Sequence, residues 1–426
     1  MAYCGYVAKV KDIRKHSNAD RLQVVTLFGN DVIVGMDTKE GDLGVYFPTD
    51  GKLGEKFAIK NKLTRGLGGY LDDEKRHVTS IRLRGEKSDG LYVPIGNFKS
   101  FVDINTLREG DTISTIGGIL ICEKYVPRGK ANKQNNTGKH AGQKKKLKES
   151  FPFFEQHIDT SQLAYNTHAF REGDTCFITL KLHGTSQRTA HTVKKKSGFI
   201  NKILKLFKME HTSWEYITGT RRVTLNNFDG GYYGNNEFRK QWHDFFDGKL
   251  HKGEEAYLEV VGYMNKDGLI MPECDNKKLN DKEFIKQFGD KTRFTYGCEN
   301  GDSDIYVYRM TMTNEDGHVV EYPWELVKLR CEQMGVKHVP ELDKFIFTTK
   351  EDLMNRVDKY ESGADPIGKT HIREGVVVRI EGREKFNAFK HKNFSFKCLE
   401  GIVKADDILD IEEEESIKEW LVNGKI

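Results

Sequence analysis

Apolar and polar positions alternate in two styles along this chain. Up to about residue 126 the apolar runs are short and broken by Gly, Asp and Asn: Gly5 to Val10, Leu22 to Phe28, Val32 to Gly35 and Leu43 to Phe47. Short strands at this spacing predict a small β-barrel. From Phe151 onward the pattern is α/β. Strand-like runs recur at Cys176 to Leu182, Ala256 to Tyr263, Ile305 to Thr311, Gly375 to Ile380 and Ala388 to Lys392. Helical periodicity marks Glu237 to Phe246, Trp324 to Met334 and Lys350 to Tyr360.

Between these regions, Pro127 to Ser150 is nearly free of apolar residues and carries Arg128, Lys130, Lys133, Lys139, Lys144, Lys145, Lys146 and Lys148. Such a segment cannot bury a core, so a flexible linker is expected. It suits a phosphate-contacting arm or nuclear address, or equally a solubilising tether. Lys194 to Lys208 mixes basic residues with Phe199, Ile200, Ile203, Leu204, Leu206 and Phe207, and reads as a basic amphipathic helix. The chain closes with Glu412 to Glu415 and a helical Ile417 to Val422.

Composition narrows the class. The 426 residues suffice for two domains or three. Charge is high but nearly balanced, at +4 net, which does not by itself imply nucleic-acid binding. The seven cysteines are scattered with no CxxC pair. That argues against a disulfide framework or structural zinc site and for a reducing compartment. Met1 to Tyr6 has neither the basic nor the apolar region of a secretory leader. No run reaches the ~18 apolar residues of a membrane span. A soluble cytoplasmic or nuclear protein is therefore expected.

The chemistry sits where polar residues interrupt apolar strands. Lys181 ends the run Cys176-Phe177-Ile178-Thr179-Leu180 and is followed by Leu182-His183-Gly184-Thr185-Ser186. On a strand, Lys181 and His183 share a face while Leu180 and Leu182 pack behind. A lysine so placed is either a solvated edge residue or a nucleophile on a phosphoanhydride, with Gly184 admitting phosphates to the backbone. Glu259 lies inside Tyr257 to Tyr263, and Glu374 opens Gly375 to Ile380. Acids seldom sit unpaired in such strands, so each should face a cation, a hydroxyl or a metal. Lys390 and Lys392 fall on one face, and like charges so placed call for an anion between them. Arg221 and Arg222 add a further cationic pair.

In this order the segments resemble the covalent nucleotidyltransferase superfamily of polynucleotide ligases and mRNA capping enzymes. Lys181 to Ser186 resembles motif I and Thr220-Arg221-Arg222 motif Ia. Tyr257 to Gly262 resembles motif III, Tyr306 to Arg309 motif IIIa, Glu374 to Val378 motif IV, and Lys390-His391-Lys392 motif V. The Lys-x-His-Gly-Thr form, rather than Lys-x-Asp-Gly, resembles the second class of RNA ligase. Only about thirty residues follow Lys392, where DNA ligases and capping enzymes carry an OB domain. His16-Ser17-Asn18-Ala19-Asp20-Arg21-Leu22 instead resembles the signature of OB-fold tRNA-binding domains, at the front of the chain. Tyr3, Tyr6, Phe28 and Tyr46 could stack bases there or fill the barrel.

The resemblance implies an α+β chain: residues 1–126 an OB-like barrel, 127–150 a linker, and 151–426 a mixed α/β nucleotidyltransferase domain built on antiparallel sheets. It implies an ATP-dependent RNA ligase joining 3′-OH and 5′-phosphate ends, with Mg²⁺ or Mn²⁺, RNA as partner and a monomeric state. The rivals are a DNA ligase, a GTP-using capping-type enzyme, or a non-catalytic RNA-binding protein. Lys181 would be the nucleophile and carry AMP. Lys390 and Lys392 would favour its neutral form and stabilise phosphate charge. A free lysine needs roughly three units of pKa, about 4 kcal/mol, to approach neutrality. Glu259 would hold the ribose or order the nucleotide pocket, and Tyr308 would stack on adenine. Glu374 would bind the metal, and Arg221 or Arg222 a phosphate or the ribose. His183 would assist the steps after adenylylation, and Thr185 and Ser186 would bond near the nucleotide. Arg309 departs from the family, which often has Asp there.

Overall fold

The computed structural model describes residues 3–125, 150–154, 157–195, 212–221, 223–225, 228, 233, 236–266 and 268–401. Four sequence readings lie outside the described residues: the basic linker up to Glu149, the amphipathic segment beyond Lys195, Arg222, and the acidic tail with its helix. The chain divides into two compact units, one built on the first 127 residues and the other on Arg128–Lys277 and Asp281–Phe396. All seven cysteines are free. Among the described residues no helix is long and apolar enough to cross a membrane, which says nothing of a β-barrel span.

The first unit is built mainly of short strands. A four-stranded antiparallel sheet runs Leu91–Pro94, Leu43–Phe47, Gly5–Lys9, Thr112–Ile113. Beside it are two three-stranded sheets and two hairpins. Val7, Val45, Phe47, Leu53, Phe57, Phe98 and Ile121 fill the core. No closed barrel forms among the described residues. Closure needs every strand to pair on both sides at a common tilt. Here Thr112–Ile113 is two residues long, and the chain leaves the sheets for the helix Glu55–Lys60 and several 3₁₀ turns. Of the four candidate aromatics, Tyr46 is buried with its hydroxyl donating to Asp89 O at 2.9 Å. Tyr6 and Phe28 are half-buried and pack edge to face, with centroids 5.9 Å apart. His16 is buried as well. Its Nε2 lies 3.0 Å from Leu83 O and its Nδ1 accepts from the Asn18 amide at 3.1 Å. The signature therefore braces a turn against the Ser80–Leu83 strand.

The second unit holds two large sheets and a two-stranded pair, Cys274–Asp275 with Lys291–Thr292. One runs Ser161–Gln162, Ala388–Lys392, Gly375–Ile380, Thr175–Lys181, Glu341–Ile346. Only its Ser161–Gln162 pairing is parallel. The other runs Thr224–Leu225, Thr212–Gly219, Thr185–Lys195, Glu254–Asn265, Ser303–Thr313, Val319–Glu321, with Gly268–Leu269 beside Glu254–Asn265. The unit is α+β. Period two explains the first sheet. Cys176, Ile178, Val376, Val378 and Phe389 share one face and pack with Leu353 and Val357 of helix Lys350–Glu361. The opposite face carries Thr179, Lys181, Gly375, Val377, Lys390 and Lys392.

Candidate active site

Cross-strand register brings the charges together. Gly375 faces Lys181 on one side and Lys392 on the other. Both ammonium groups therefore reach the neighbouring Glu374: Lys181 Nζ lies 2.7 Å and Lys392 Nζ 3.1 Å from its Oε1. His183 Nδ1 is 3.8 Å from Oε2. Burial works against the Glu374 carboxylate, but Lys181, Lys392 and His183 overcome it and hold its pKa at about 2. Its Oε2 is sealed from water and has no hydrogen-bond partner among the described residues. An anionic oxygen left open among cations fits a divalent ion, whose preferred ligands are oxygens. Gly375, at φ 143°, lets the strands meet: a Cβ there would stand 2.0 Å from His391 O.

Lys390 is half-buried on the same face, with no carboxylate at ion-pair distance among the described residues. Burial, then Lys181, Lys392 and Arg221, push it down to about 8. Glu259, opposite Ser186 in the second sheet, moves the other way: burial raises it to about 7 against the pull of Lys181 and Arg221. A pocket lined by Lys181, Arg221, Glu259, Tyr308, His157, Val377, Arg379 and Phe386 lies between these groups. Arg221 is exposed, with Nε 3.5 Å from Asp159 Oδ1.

Tyr308 enters this pocket through a β-bulge. Tyr257 pairs with Arg309 and Leu258 with Val307, so Tyr308 is the extra residue. Its hydroxyl lies 3.2 Å from Ser186 Oγ, and its carbonyl accepts from Arg379 Nη1 at 3.4 Å. Arg309, the departure from the family pattern, is buried and bidentate on Glu321 at 2.8 Å. It lies over the Tyr257 ring, which makes it a core ion pair.

The strand alternation expected at Lys181 ends early. The strand stops at Lys181, yet His183 still converges on Glu374. His183 is buried edge to face between Phe294 and Phe396, at 4.5 and 4.8 Å. Gly184 also has a packing reason. Its Cβ would sit 2.4 Å from Val260 O, so the glycine lets the loop pass the Glu259 strand.

Three contributors carry no motif signal. Arg239, on helix Glu237–Phe246, is 2% exposed and donates to Thr185 Oγ1 at 2.6 Å and Ser186 O at 3.0 Å. Burial lowers its pKa to about 10. Tyr296 is buried at φ 53°, and its hydroxyl accepts from the His183 amide at 2.6 Å. His157 lines the pocket. No local pattern marks a buried arginine or a histidine in a loop, though a left-handed non-glycine beside a reactive loop signals stored strain.

No protein-family model and no curated protein matches the chain. Solved structures do. Naegleria gruberi RNA ligase with PPi is 15% identical and aligns over 92% of this chain and 97% of its own, with a TM-score of 0.58. A lysine-to-methionine mutant of that ligase with AMP and Mn gives 15%, 93%, 98% and 0.59. A lysine-to-alanine mutant with ATP and Mn gives 15%, 94%, 98% and 0.58. Along nearly its whole length this chain has the fold of an RNA ligase.

Proposed function

We propose that this chain is an ATP-dependent RNA ligase that seals 3′-OH and 5′-phosphate ends, acting in RNA repair. One observation carries the reading: Lys181 lines a pocket with Glu259 and Tyr308 while it pairs with Glu374, a buried and incompletely satisfied carboxylate that Lys392 also reaches. The ligase whose fold it shares was solved with ATP, AMP and Mn, which supports nucleotide and metal use.

Lys181 Nζ attacks the α-phosphorus of ATP, forming a P–N bond and releasing pyrophosphate. A 5′-phosphate oxygen of RNA then attacks that phosphorus, and the P–N bond breaks. Finally the 3′-OH attacks the 5′-phosphate, forming the phosphodiester and expelling AMP. Glu374 would hold Mg²⁺ or Mn²⁺, with Glu259 near it. When bound, the ion neutralises charge developing on the phosphate. Lys390 and Lys392 present positive charge on the same face. Tyr308 stacks on the base, while Arg221 or Arg222 contacts ribose or phosphate. Thr185 and Ser186, fixed by Arg239, border the nucleotide. His183 serves the RNA steps, and residues 1–126 engage RNA as an OB-like module joined through 127–150 to the catalytic domain.

The test is sealing of nicked duplexes carrying RNA or DNA on each side of the nick. Wild-type protein should seal breaks with RNA ends using ATP, and Lys181→Ala should not. Sealing that survives Lys181→Ala, or that proceeds with GTP alone, contradicts the reading.

A further inference from the structure

We infer that His157 reads the base in this pocket, accepting a hydrogen bond from the 6-amino group of adenine and thereby selecting ATP over GTP. The inference rests on the nucleotidyl-transfer reading and adds the residue that sets base choice.

The His157 side chain is 8% exposed and lines the pocket that holds Lys181, Glu259 and Tyr308. Its ring is set edge to face against Tyr308 (6.0 Å, 67°) and Tyr257 (6.3 Å, 66°). Val377 and Phe386 supply apolar walls. The ring is thus held by two tyrosines in the wall of a partly aromatic pocket, the kind of lining that suits a purine.

Its two nitrogens differ. Nδ1 is sealed from water and lies 3.4 Å from Asp159 Oδ1 without a hydrogen bond between them, so the carboxylate acts on it through its charge alone. A carboxylate beside Nδ1 favours the tautomer with the proton on Nδ1. Nε2 then carries a lone pair. It is not sealed from water, and no protein group among the described residues bonds to it. Burial and the neighbouring Arg221 push the His157 pKa down to about 4, despite Asp159. At neutral pH the ring is uncharged and Nε2 stays an acceptor. Adenine offers an amino donor at position 6, and guanine offers a carbonyl acceptor. An acceptor facing that position welcomes the first and repels the second.

Lys181, Arg221 and Arg379, which line the same pocket, cannot supply this choice. Lysines and arginines only donate, so they would favour guanine O6. Glu259 and Glu374 lie with the lysines that meet phosphate and metal.

The test measures covalent labelling of the protein with ATP, GTP and purine riboside triphosphate, which lacks the 6-amino group. Wild-type protein should use purine riboside triphosphate about tenfold less efficiently than ATP, the worth of one such hydrogen bond, and GTP less well still. His157→Phe keeps an aromatic ring against Tyr308 and should bring ATP and purine riboside triphosphate within about twofold of each other. The analogue comparison on wild-type protein needs no variant to fold. Equal use of ATP and purine riboside triphosphate by wild-type protein overturns the inference while leaving nucleotidyl transfer standing. So does a His157→Phe protein that keeps the full preference. Labelling by none of the three nucleotides overturns the reading beneath it as well.

Discussion

Glu374→Gln keeps the shape of the side chain and removes the charge that Lys181 and Lys392 share. The wild-type carboxyl is held at about 2 against an ordinary 4.5. At ~1.4 kcal/mol per unit, that difference is worth about 3 kcal/mol. The side chain is 2% exposed, so water screens little of it. A depressed carboxyl stabilises the fold above its unfolded pKa and loses that contribution as pH falls through its folded pKa. Urea unfolding of both proteins should therefore show a deficit of about 3 kcal/mol in the variant near pH 7. The deficit should stay constant down to about pH 4.5 and shrink as pH falls toward 2. A deficit below about 1 kcal/mol, or one that does not change across that window, would refute the electrostatic account of the cluster, whatever happens to activity.

Other consequences follow from the same geometry. Lys390, held at about 8 rather than 10.5, costs stability in full below pH 8, where folded and unfolded chains both carry its proton, and that cost is relieved as pH rises to 10.5. Wild-type stability should rise between pH 8 and 10.5, and Lys390→Met should flatten that rise in a denaturation series while abolishing lysine adenylylation. Gly184→Ala places a methyl 2.4 Å from Val260 O and should cost about 1–3 kcal/mol by thermal unfolding, with loss of labelling by ATP. Tyr296→Phe strips the acceptor from the His183 amide, a cost of about 1–3 kcal/mol. It should slow sealing of pre-adenylylated RNA more than adenylylation of the enzyme, measured side by side.

Much of the second unit was legible because its strands alternate cleanly. Gly375–Ile380, Ala388–Lys392 and the helices Glu237–Phe246 and Trp324–Met334 begin and end where the pattern says. Each candidate charge stands out against apolar neighbours. Thr185–Lys195 was hidden because polar residues are buried on both of its faces: Gln187, Arg188 and Thr189 are at most 2% exposed. Hydropathy reads such a strand as surface. The bulge that turns Tyr308 inward is a property of two strands together, so spacing along one strand cannot show it. Arg239, Tyr296 and His157 reach the site by tertiary packing from a helix, a strained turn and a loop. The barrel expected in the first unit failed for a similar reason. Strand count is local, whereas closure depends on which edges pair.

The most direct measurement is to incubate the protein with ATP labelled at the α-phosphate and a divalent ion, denature it, and map the labelled peptide. The account predicts one acid-labile phosphoramidate on Lys181, absent from Lys181→Ala and strongly reduced in Glu374→Gln. Label on another residue, undiminished label in Lys181→Ala, or label from GTP but not ATP would contradict it.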